Sequence, residues 1–227
     1  MKKYGVFDIV GPIMIGPSSS HTAGAVRLGQ IARIIAGSDV KSVLCLLHGS
    51  FGKTYKGHGT DRALAAGILG MDPSDFRLKD SLNIAKEKNI FIEFKEFFLS
   101  EDSHPNTVKF VITKEDLSIV EITGCSIGGG NIKIVEIDGE ELEFTGKYPT
   151  ILIKHIDLPG VISKVTGLLY EENVNIAFMK VYRDDKGKEA YMIFETDNDI
   201  SSNIIEKMKK IDNIKTLKVI NKLTEVS

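Results

Sequence analysis

The residues with the clearest chemical potential form a run of hydroxyl groups around one imidazole near the N-terminus. The run consists of Ser18, Ser19, Ser20, His21 and Thr22. Serine is favoured at the start of a helix, and the apolar spacing that follows predicts a helix over residues 21–35. No Asp or Glu occurs from residue 16 to 38, so no carboxylate neutralises the positive end of that helix. We predict that this end binds an external anion, such as a substrate carboxylate, beside the imidazole. The alternative is a serine cap next to a surface histidine.

A second candidate pair is His58 and Asp61, which lie three residues apart where another helix is predicted to start. We expect Thr60 to cap that helix. Asp61 can accept a proton from the imidazole and fix its tautomer, as a general base requires. A carboxylate is also favourable in the first turn of any helix. The pair is therefore either catalytic or structural.

Two more histidines of the N-terminal half, His48 and His104, lie in predicted loops rich in Gly, Ser and Asn. Loops often present functional groups, and the alternative is an imidazole bonded to its own backbone. The histidine spacing fits neither a zinc finger nor a metalloprotease motif, so we predict no metal site in this chain. Asn106 and Asn131 are candidate amide contacts to a carboxylate or a partner subunit, with a turn-forming role as the alternative.

The hydrophobic pattern of residues 1–146 predicts one mixed α/β domain as the scaffold for these groups. Val40–Leu47 is a nearly continuous apolar run, typical of a buried strand. Asp138-Gly139 is a two-residue hairpin signal. Beyond the first helix and strand, the pattern predicts helices over 62–69 and 80–88, and strands over 90–99, 108–113, 117–123, 132–137 and 140–144.

The pattern changes after a short linker at residues 146–149, and a second domain is predicted over 149–227. A turn over Asp184–Gly187 joins its two middle strands. The predicted order is strand 150–155, helix 161–172, strands 174–182 and 190–195, helix 202–210 and strand 214–220. This βαββαβ order is the ferredoxin-like arrangement.

The charge is balanced, with 29 basic and 31 acidic residues and a net charge of −2, so neither nucleic acid nor an anionic membrane is a predicted partner. Met1-Lys2-Lys3 and the apolar residues after it superficially resemble a signal peptide, but Asp8 and Pro12 interrupt the apolar region. No apolar run approaches the ~18 residues of a membrane span. We expect a cytoplasmic protein.

The chain has only two cysteines, Cys45 and Cys125, both in apolar surroundings that favour buried, reduced thiols. A [4Fe–4S] cluster is normally held by three or four cysteine thiolates, which this chain cannot supply. The run from Gly16 to Gly24 also lacks the Gly-Lys-Ser/Thr ending of a nucleotide P-loop. Ser20 and His21 are sequence neighbours that do not face each other on a helix, so they are not a hydrolase pair.

The run GPSSSHTAGAVRLG at residues 16–29 resembles the signature of the beta subunit of bacterial iron–sulfur L-serine dehydratases, and GHGTDRALAAG at 57–67 is similar to the same family's pattern. The resemblance covers nearly the whole chain. It implies an L-serine ammonia-lyase that converts L-serine to pyruvate and ammonia, with the [4Fe–4S] cluster on a separate alpha subunit. The implied catalytic residues are His21, His58 and Asp61, and the implied substrate-binding residues are Ser18, Ser19, Ser20 and Thr22. We add Asn106 to the substrate-binding residues because of its amide group.

The first domain of that family also resembles an allosteric substrate-binding domain of a phosphoglycerate dehydrogenase. This resemblance keeps a second class of function open, in which the chain is a non-catalytic amino-acid sensor.

The loop from His155 to Gly160 resembles the ACT domain, a module that binds amino acids and regulates metabolic enzymes. The resemblance implies regulation by an effector and homodimerisation through this domain. An ordinary helix entry with Asp157 as cap and Pro159 in the first turn is the alternative. The implied effector-binding residues are Asp157, Leu158, Pro159, Gly160 and Asn175.

Overall fold

A computed structural model describes residues 13–37, 39–183 and 185–221. The chain divides into two compact units, the first ending at Thr145 and the second beginning at Gly146. Two predictions concern residues outside the described ranges, namely the discounted signal-peptide resemblance of residues 1–12 and the place of Asp184 in the predicted turn. No helix of the described residues is long and apolar enough to cross a membrane.

The first unit contains a six-stranded sheet in the order β2-β1-β3-β4-β5-β6, in which β1 and β2 are parallel and the other neighbours are antiparallel. The predicted hairpin at Asp138-Gly139 is confirmed, because both residues have positive φ and join β5 to β6. The strands are β1 (Val40–Leu47), β2 (Phe91–Glu96), β3 (Thr107–Lys114), β4 (Ile119–Gly128), β5 (Asn131–Ile137) and β6 (Glu140–Phe144).

The helices of this unit begin with a π-helical segment, Ser19–Gly24, that runs directly into α1. The predicted first helix is therefore confirmed, with a wider first turn than an α-helix has. The α-helices are α1 (Ala25–Ala36), α2 (Gly49–His58), α3 (Thr60–Ile68) and α4 (Ser81–Glu87), with a 3₁₀ turn at Phe76–Asp80 before α4.

Helix α2 corrects the prediction that His58 lies in a loop, whereas His48 precedes the helix in an extended conformation, as predicted for a loop residue. Three glycines lower its helix propensity, but its packing compensates for them. The Phe51 side chain is fully buried, and a Cβ at Gly52 would lie 2.6 Å from the Leu47 carbonyl oxygen, so the helix rests directly on the end of β1. Tertiary contacts thus decide the structure of this segment.

Helices α1 and α3 touch backbone to backbone at two glycines. A Cβ at Gly67 would lie 2.1 Å from the Val26 carbonyl oxygen, and a Cβ at Gly29 would lie 2.5 Å from that of Leu64. No other residue fits at this crossing without moving the helices. The contact fixes the N-terminal end of α3 beside the π-helical segment, where His21 lies.

The second unit is a four-stranded antiparallel sheet in the order β10-β7-β9-β8, with two helices packed on one face. Its core joins Ile151 and Ile153 of the sheet to Val165 and Met208 of the helices. The predicted βαββαβ order is confirmed. Its elements are β7 (Thr150–Ile156), α5 (Val161–Glu171), β8 (Ile176–Arg183), β9 (Glu189–Thr196), α6 (Ser202–Lys209) and β10 (Ile214–Ile220).

Candidate functional site

The π-helical segment Ser19–Gly24 presents His21 at the start of a long helical run. Ser18 caps it in an extended conformation, and the Ser18 hydroxyl accepts a hydrogen bond from the His21 backbone N–H over 3.3 Å. The first turn carries no acidic residue. Short π-helical segments are rare and recur at functional sites.

The His21 imidazole is held by side chains from two helices, α2 and α3. Its Nδ1 lies 2.9 Å from the Thr60 hydroxyl at the start of α3. Its Nε2 lies 3.5 Å from the Ser50 hydroxyl in the first turn of α2. The rings of Phe51 and His58 contact it edge to face, at centroid distances of 5.1 and 4.7 Å. We call His21, Ser50, His58 and Thr60 the His21 cluster.

The His21 cluster lies at the edge of the core, and His58 is its solvent-exposed member. His21 itself is 8% exposed, whereas His58 is exposed. Burial lowers the pKa of His21, and the nearby His58 lowers it further. The first turns of the π-helical segment and of α2 contain no carboxylate. A neutral imidazole beside two hydroxyls and helix N-terminal N–H groups can bind an anion and exchange a proton with it.

The structure brings together only some of the residues predicted for this site. Of those predicted, His21 and His58 are in ring contact, and Ser18 acts as the helix cap. Thr22 is buried against Gly16, where an added Cβ would lie 2.2 Å from its hydroxyl oxygen, so its side chain packs inward. Asn106 takes no part in the hydrogen bonds or ring contacts of the His21 cluster. Ser19 and Ser20 are half-buried in the segment.

The predicted pairing of His58 with Asp61 is not made. The Asp61 carboxylate accepts a hydrogen bond from the Arg62 N–H over 2.8 Å, in the first turn of α3. The observed contact of Asp61 is therefore that of a carboxylate in the first turn of a helix, which was the structural alternative. Thr60 is also not a cap, because Gly59 occupies that position in a left-handed conformation and Thr60 is the first helical residue.

For His48 and His104 the structure shows the backbone-bonded arrangement. The Nδ1 atom of His48 accepts a hydrogen bond from the Leu99 N–H over 3.2 Å, and that of His104 accepts from the Asn106 N–H over 3.1 Å. Asn131 likewise donates from its side chain to the Gly128 carbonyl in a turn. The bonds of His104 and Asn131 are local, whereas His48 bonds to the backbone of a distant segment.

Metal and nucleophile chemistry find no support in the described residues. No group of three His, Cys, Asp or Glu side chains there could hold a metal ion. Both thiols are buried, in β1 and β4, and burial raises the pKa of Cys45 and of Cys125, which opposes thiolate ligation. The two thiols are therefore poor ligands for an iron–sulfur cluster. Gly124–Gly128 reads G-x-S-x-G, but Ser126 is fully buried within β4 rather than on a strand-to-helix turn.

The predicted effector loop of the second unit lies on the surface before α5. The Asp157 carboxylate accepts a 2.8 Å hydrogen bond from Arg183 and a 3.4 Å bond from the Gly187 N–H. The Arg183 guanidinium lowers the pKa of Asp157. Leu158, Pro159 and Gly160 are exposed, and Gly160 starts α5 in a left-handed conformation with open space where a Cβ would lie.

Asn175 does not share a site with this loop within one chain, which corrects the predicted grouping. β8 runs parallel to β7, because both pair antiparallel to β9. Asn175 precedes the start of β8, whereas Asp157 follows the end of β7, so the two lie at opposite ends of the sheet. The Asn175 amide instead donates to Asp197 over 2.6 Å.

Two residues of the His21 cluster, Ser50 and Thr60, had no predicted role in the site. A signal for Ser50 is present in the sequence, since Ser50, Thr54 and His58 recur every four residues and mark one polar helix face. No such signal exists for Thr60, because its position follows from the glycine crossing of α1 and α3.

Comparisons with known proteins agree with this division. A family described as "Serine dehydratase beta chain" matches residues 5–136, and one described as "ACT domain" matches residues 150–213. The "Probable L-serine dehydratase, beta chain" of Bacillus subtilis is 45% identical over 94% of this chain and 96% of its own length. The "L-serine dehydratase, beta chain" of Peptoniphilus asaccharolyticus is 39% identical over 97% of this chain and 99% of its own length.

A relative of another enzyme class is also similar. The "D-3-phosphoglycerate dehydrogenase" of Methanocaldococcus jannaschii is 33% identical over 91% of this chain but only 39% of its own length. The two matching families and the near full-length beta-chain relatives show that this chain is a member of the serine dehydratase beta chain family, with an ACT domain at its C-terminal side.

Proposed function

We propose that this chain completes the active site of an L-serine ammonia-lyase whose [4Fe–4S] cluster is bound by a separate alpha subunit. The His21 cluster carries the proposal. It combines helix N–H groups, two hydroxyls and a neutral imidazole, with no carboxylate in the first turns of the π-helical segment and of α2. The first-turn carboxylate of α3, Asp61, is bonded to the Arg62 N–H. The names of the beta-chain relatives support an alpha partner, and the buried thiols support placing the cluster on it. We expect the complex to be cytoplasmic.

In this proposal the chain binds and orients the substrate. The carboxylate of L-serine binds at the N-terminal end of the π-helical segment, near Ser19 and Ser20, where unpaired N–H groups favour an anion. His21 exchanges a proton with the substrate or its leaving oxygen. His58, in ring contact with His21 and exposed, faces the side from which the substrate and the alpha subunit approach.

The test compares the chain alone with the chain plus its alpha partner under anaerobic conditions, with pyruvate formation from L-serine as the readout. We expect turnover only from the complex. His21→Ala in the complex should lower kcat by roughly 10²-fold or more, the usual contribution of a positioned acid or base. The matched control is His104→Ala, which removes an imidazole bonded to its own loop and should leave kcat unchanged. Full activity of the chain alone would refute the proposal.

For the second unit we propose an amino-acid effector site formed between two copies of the chain. β8 is an edge strand whose side chains Phe178, Met179 and Val181 are exposed. Antiparallel pairing of two β8 strands would bring Asn175 of one copy beside Arg183 and Asp157 of the other. That pairing would reunite the predicted effector residues. Sedimentation should show a dimer that Phe178→Lys dissociates; an unchanged dimer in this variant would contradict the pairing.

A second candidate function is a non-catalytic amino-acid sensor. Similarity to a D-3-phosphoglycerate dehydrogenase over 91% of this chain favours it. If the same two domains occur in enzymes that catalyse different reactions, they can bind a ligand without taking part in either reaction. Calorimetry separates the candidates: tight binding of L-serine to the isolated chain, together with unchanged kcat in the His21→Ala complex, would favour the sensor.

A further inference from the structure

We propose that Thr60 is a positioning residue that orients the His21 ring and keeps its proton on Nε2; the inference rests on the proposed role of His21. The Thr60 hydroxyl lies 2.9 Å from Nδ1, whereas the contact of Nε2 with Ser50, at 3.5 Å, is at the limit of a hydrogen bond. The ring therefore has one edge held firmly and one edge available to a ligand.

The hydrogen-bonding needs of Thr60 decide the direction of that bond. Thr60 is fully buried, and the large majority of buried hydroxyls donate their hydrogen to an acceptor. Among the described residues its hydrogen-bond partner is Nδ1 of His21. Thr54 and Thr166 differ, because each donates to the carbonyl four residues earlier in its own helix. Thr60 therefore donates to Nδ1, which leaves the ring proton of the neutral imidazole on Nε2.

The backbone holds Thr60 at this distance. The π-helical segment that carries His21 continues into α1, and Thr60 opens α3. These two helices meet at Gly29 and Gly67 without side chains between them. The separation of His21 and Thr60 is thus set by packed backbone, and it does not depend on flexible side chains of the surface.

The consequence concerns the proton that His21 presents. With Nδ1 occupied, Nε2–H points toward the side of Ser50 and the exposed His58. An oxygen atom of a bound substrate on that side accepts a hydrogen bond from Nε2–H, which holds it next to the imidazole. Thr60 contributes without touching the substrate, in the way that an orienting group supports a catalytic imidazole.

The experiment uses the full chain with ¹⁵N-labelled histidine, in which only five imidazoles give signals. Two-bond ¹H–¹⁵N spectra identify the protonated nitrogen of each ring, and His21→Ala assigns the signals of His21. We expect the His21 proton on Nε2 in the wild type and in Thr60→Ser, which keeps the hydroxyl. In Thr60→Val, which has a similar shape without the donor, the signals should move toward an average of the two tautomers. Thr60→Ala is the second variant if Thr60→Val does not fold.

The same variants are then assayed with the alpha subunit. Thr60→Val should lower kcat by about tenfold or more with KM within about twofold, and Thr60→Ser should restore kcat. A wild-type His21 proton on Nδ1, or unchanged His21 signals in Thr60→Val, would overturn the inference. These spectra need no active complex, so they decide the role of Thr60 even if His21→Ala leaves turnover intact and the proposed function fails.

Discussion

The His21 cluster and the Asp157 loop show what surroundings do to two sites that both lie before a helix. Each contains a titratable side chain, a glycine-rich neighbourhood and an approach to a helix N-terminus. Around His21, the helices α2 and α3 contribute side chains, and burial lowers the pKa of the imidazole. Around Asp157, a surface arginine lowers its pKa, and the carboxylate stays near solvent. The first arrangement stabilises a neutral group, and the second stabilises a charged one.

The helices next to the two sites also differ in how tightly they are packed. The crossing of α1 and α3 leaves no space for a Cβ at Gly67. In α5, which follows the Asp157 loop, Gly167 has nothing within 4 Å of where a Cβ would lie. The His21 cluster is therefore tied to the core by backbone contact, while the Asp157 loop is joined to a helix with room around it. One substitution made in both frameworks tests this difference.

The largest effect is expected for Gly67→Ala. Its Cβ would meet the Val26 carbonyl at 2.1 Å, so α1 and α3 must separate, at a cost of about 1–3 kcal/mol. The control Gly167→Ala should instead stabilise α5 by about 0.5–1 kcal/mol, because alanine is the better helix former and meets no neighbour. Hydrogen exchange measured by mass spectrometry reports each unit separately. Equal effects of the two substitutions would contradict the difference in packing.

The second prediction concerns pH. The pKa of His21 is lowered from 6.5 in the folded chain, so between the folded value and 6.5 the unfolded chain binds more protons. The stability of the first unit should therefore be full above pH 6.5 and fall as the pH drops toward the folded pKa. In His21→Asn this part of the pH dependence should disappear. The measurement is the unfolding free energy of both proteins from pH 7.5 to 5; identical slopes would show that His21 is not held neutral.

The sequence predicts the sheets far better than it predicts the site. Alternating or continuous apolar runs gave β1, β6 and β10 with their observed bounds, because burial of one or both strand faces determines them. The predicted imidazole and cap at His21 and Ser18 also lie together, since they are neighbours in the chain. Thr60 and Ser50 join them only through packing between distant segments, and no local pattern records such a contact.

Other residues were predicted to form a pair because they belong to one sequence motif, and the structure keeps them apart. His58 and Asp61 are three residues apart, yet the left-handed Gly59 ends α2 and starts α3 between them. Asp157 and Asn175 belong to one resemblance but lie at opposite ends of their sheet. In both pairs the two residues belong to different helices or strands, so their common motif did not predict a contact.

The smallest effect is expected for Asp157→Ala. The ion pair with Arg183 is exposed, and solvent and salt screen such a pair, so the unfolding midpoint of the second unit should hardly change at neutral pH. The Gly187 N–H loses its acceptor and should exchange faster with solvent. Asp185→Ala is the matched control, because Asp185 pairs with Lys188 on the same surface, whereas the Gly187 N–H donates to Asp157. The lowered pKa of Asp157 also predicts how this ion pair depends on pH. Its contribution to the stability of the second unit is present above the unfolded pKa of the carboxyl and is lost as the pH falls through the folded pKa. This happens at a lower pH than the titration of His21. A marked loss of stability at neutral pH would mean that the loop is held as firmly as the His21 cluster, and the contrast between the two regions would then fail.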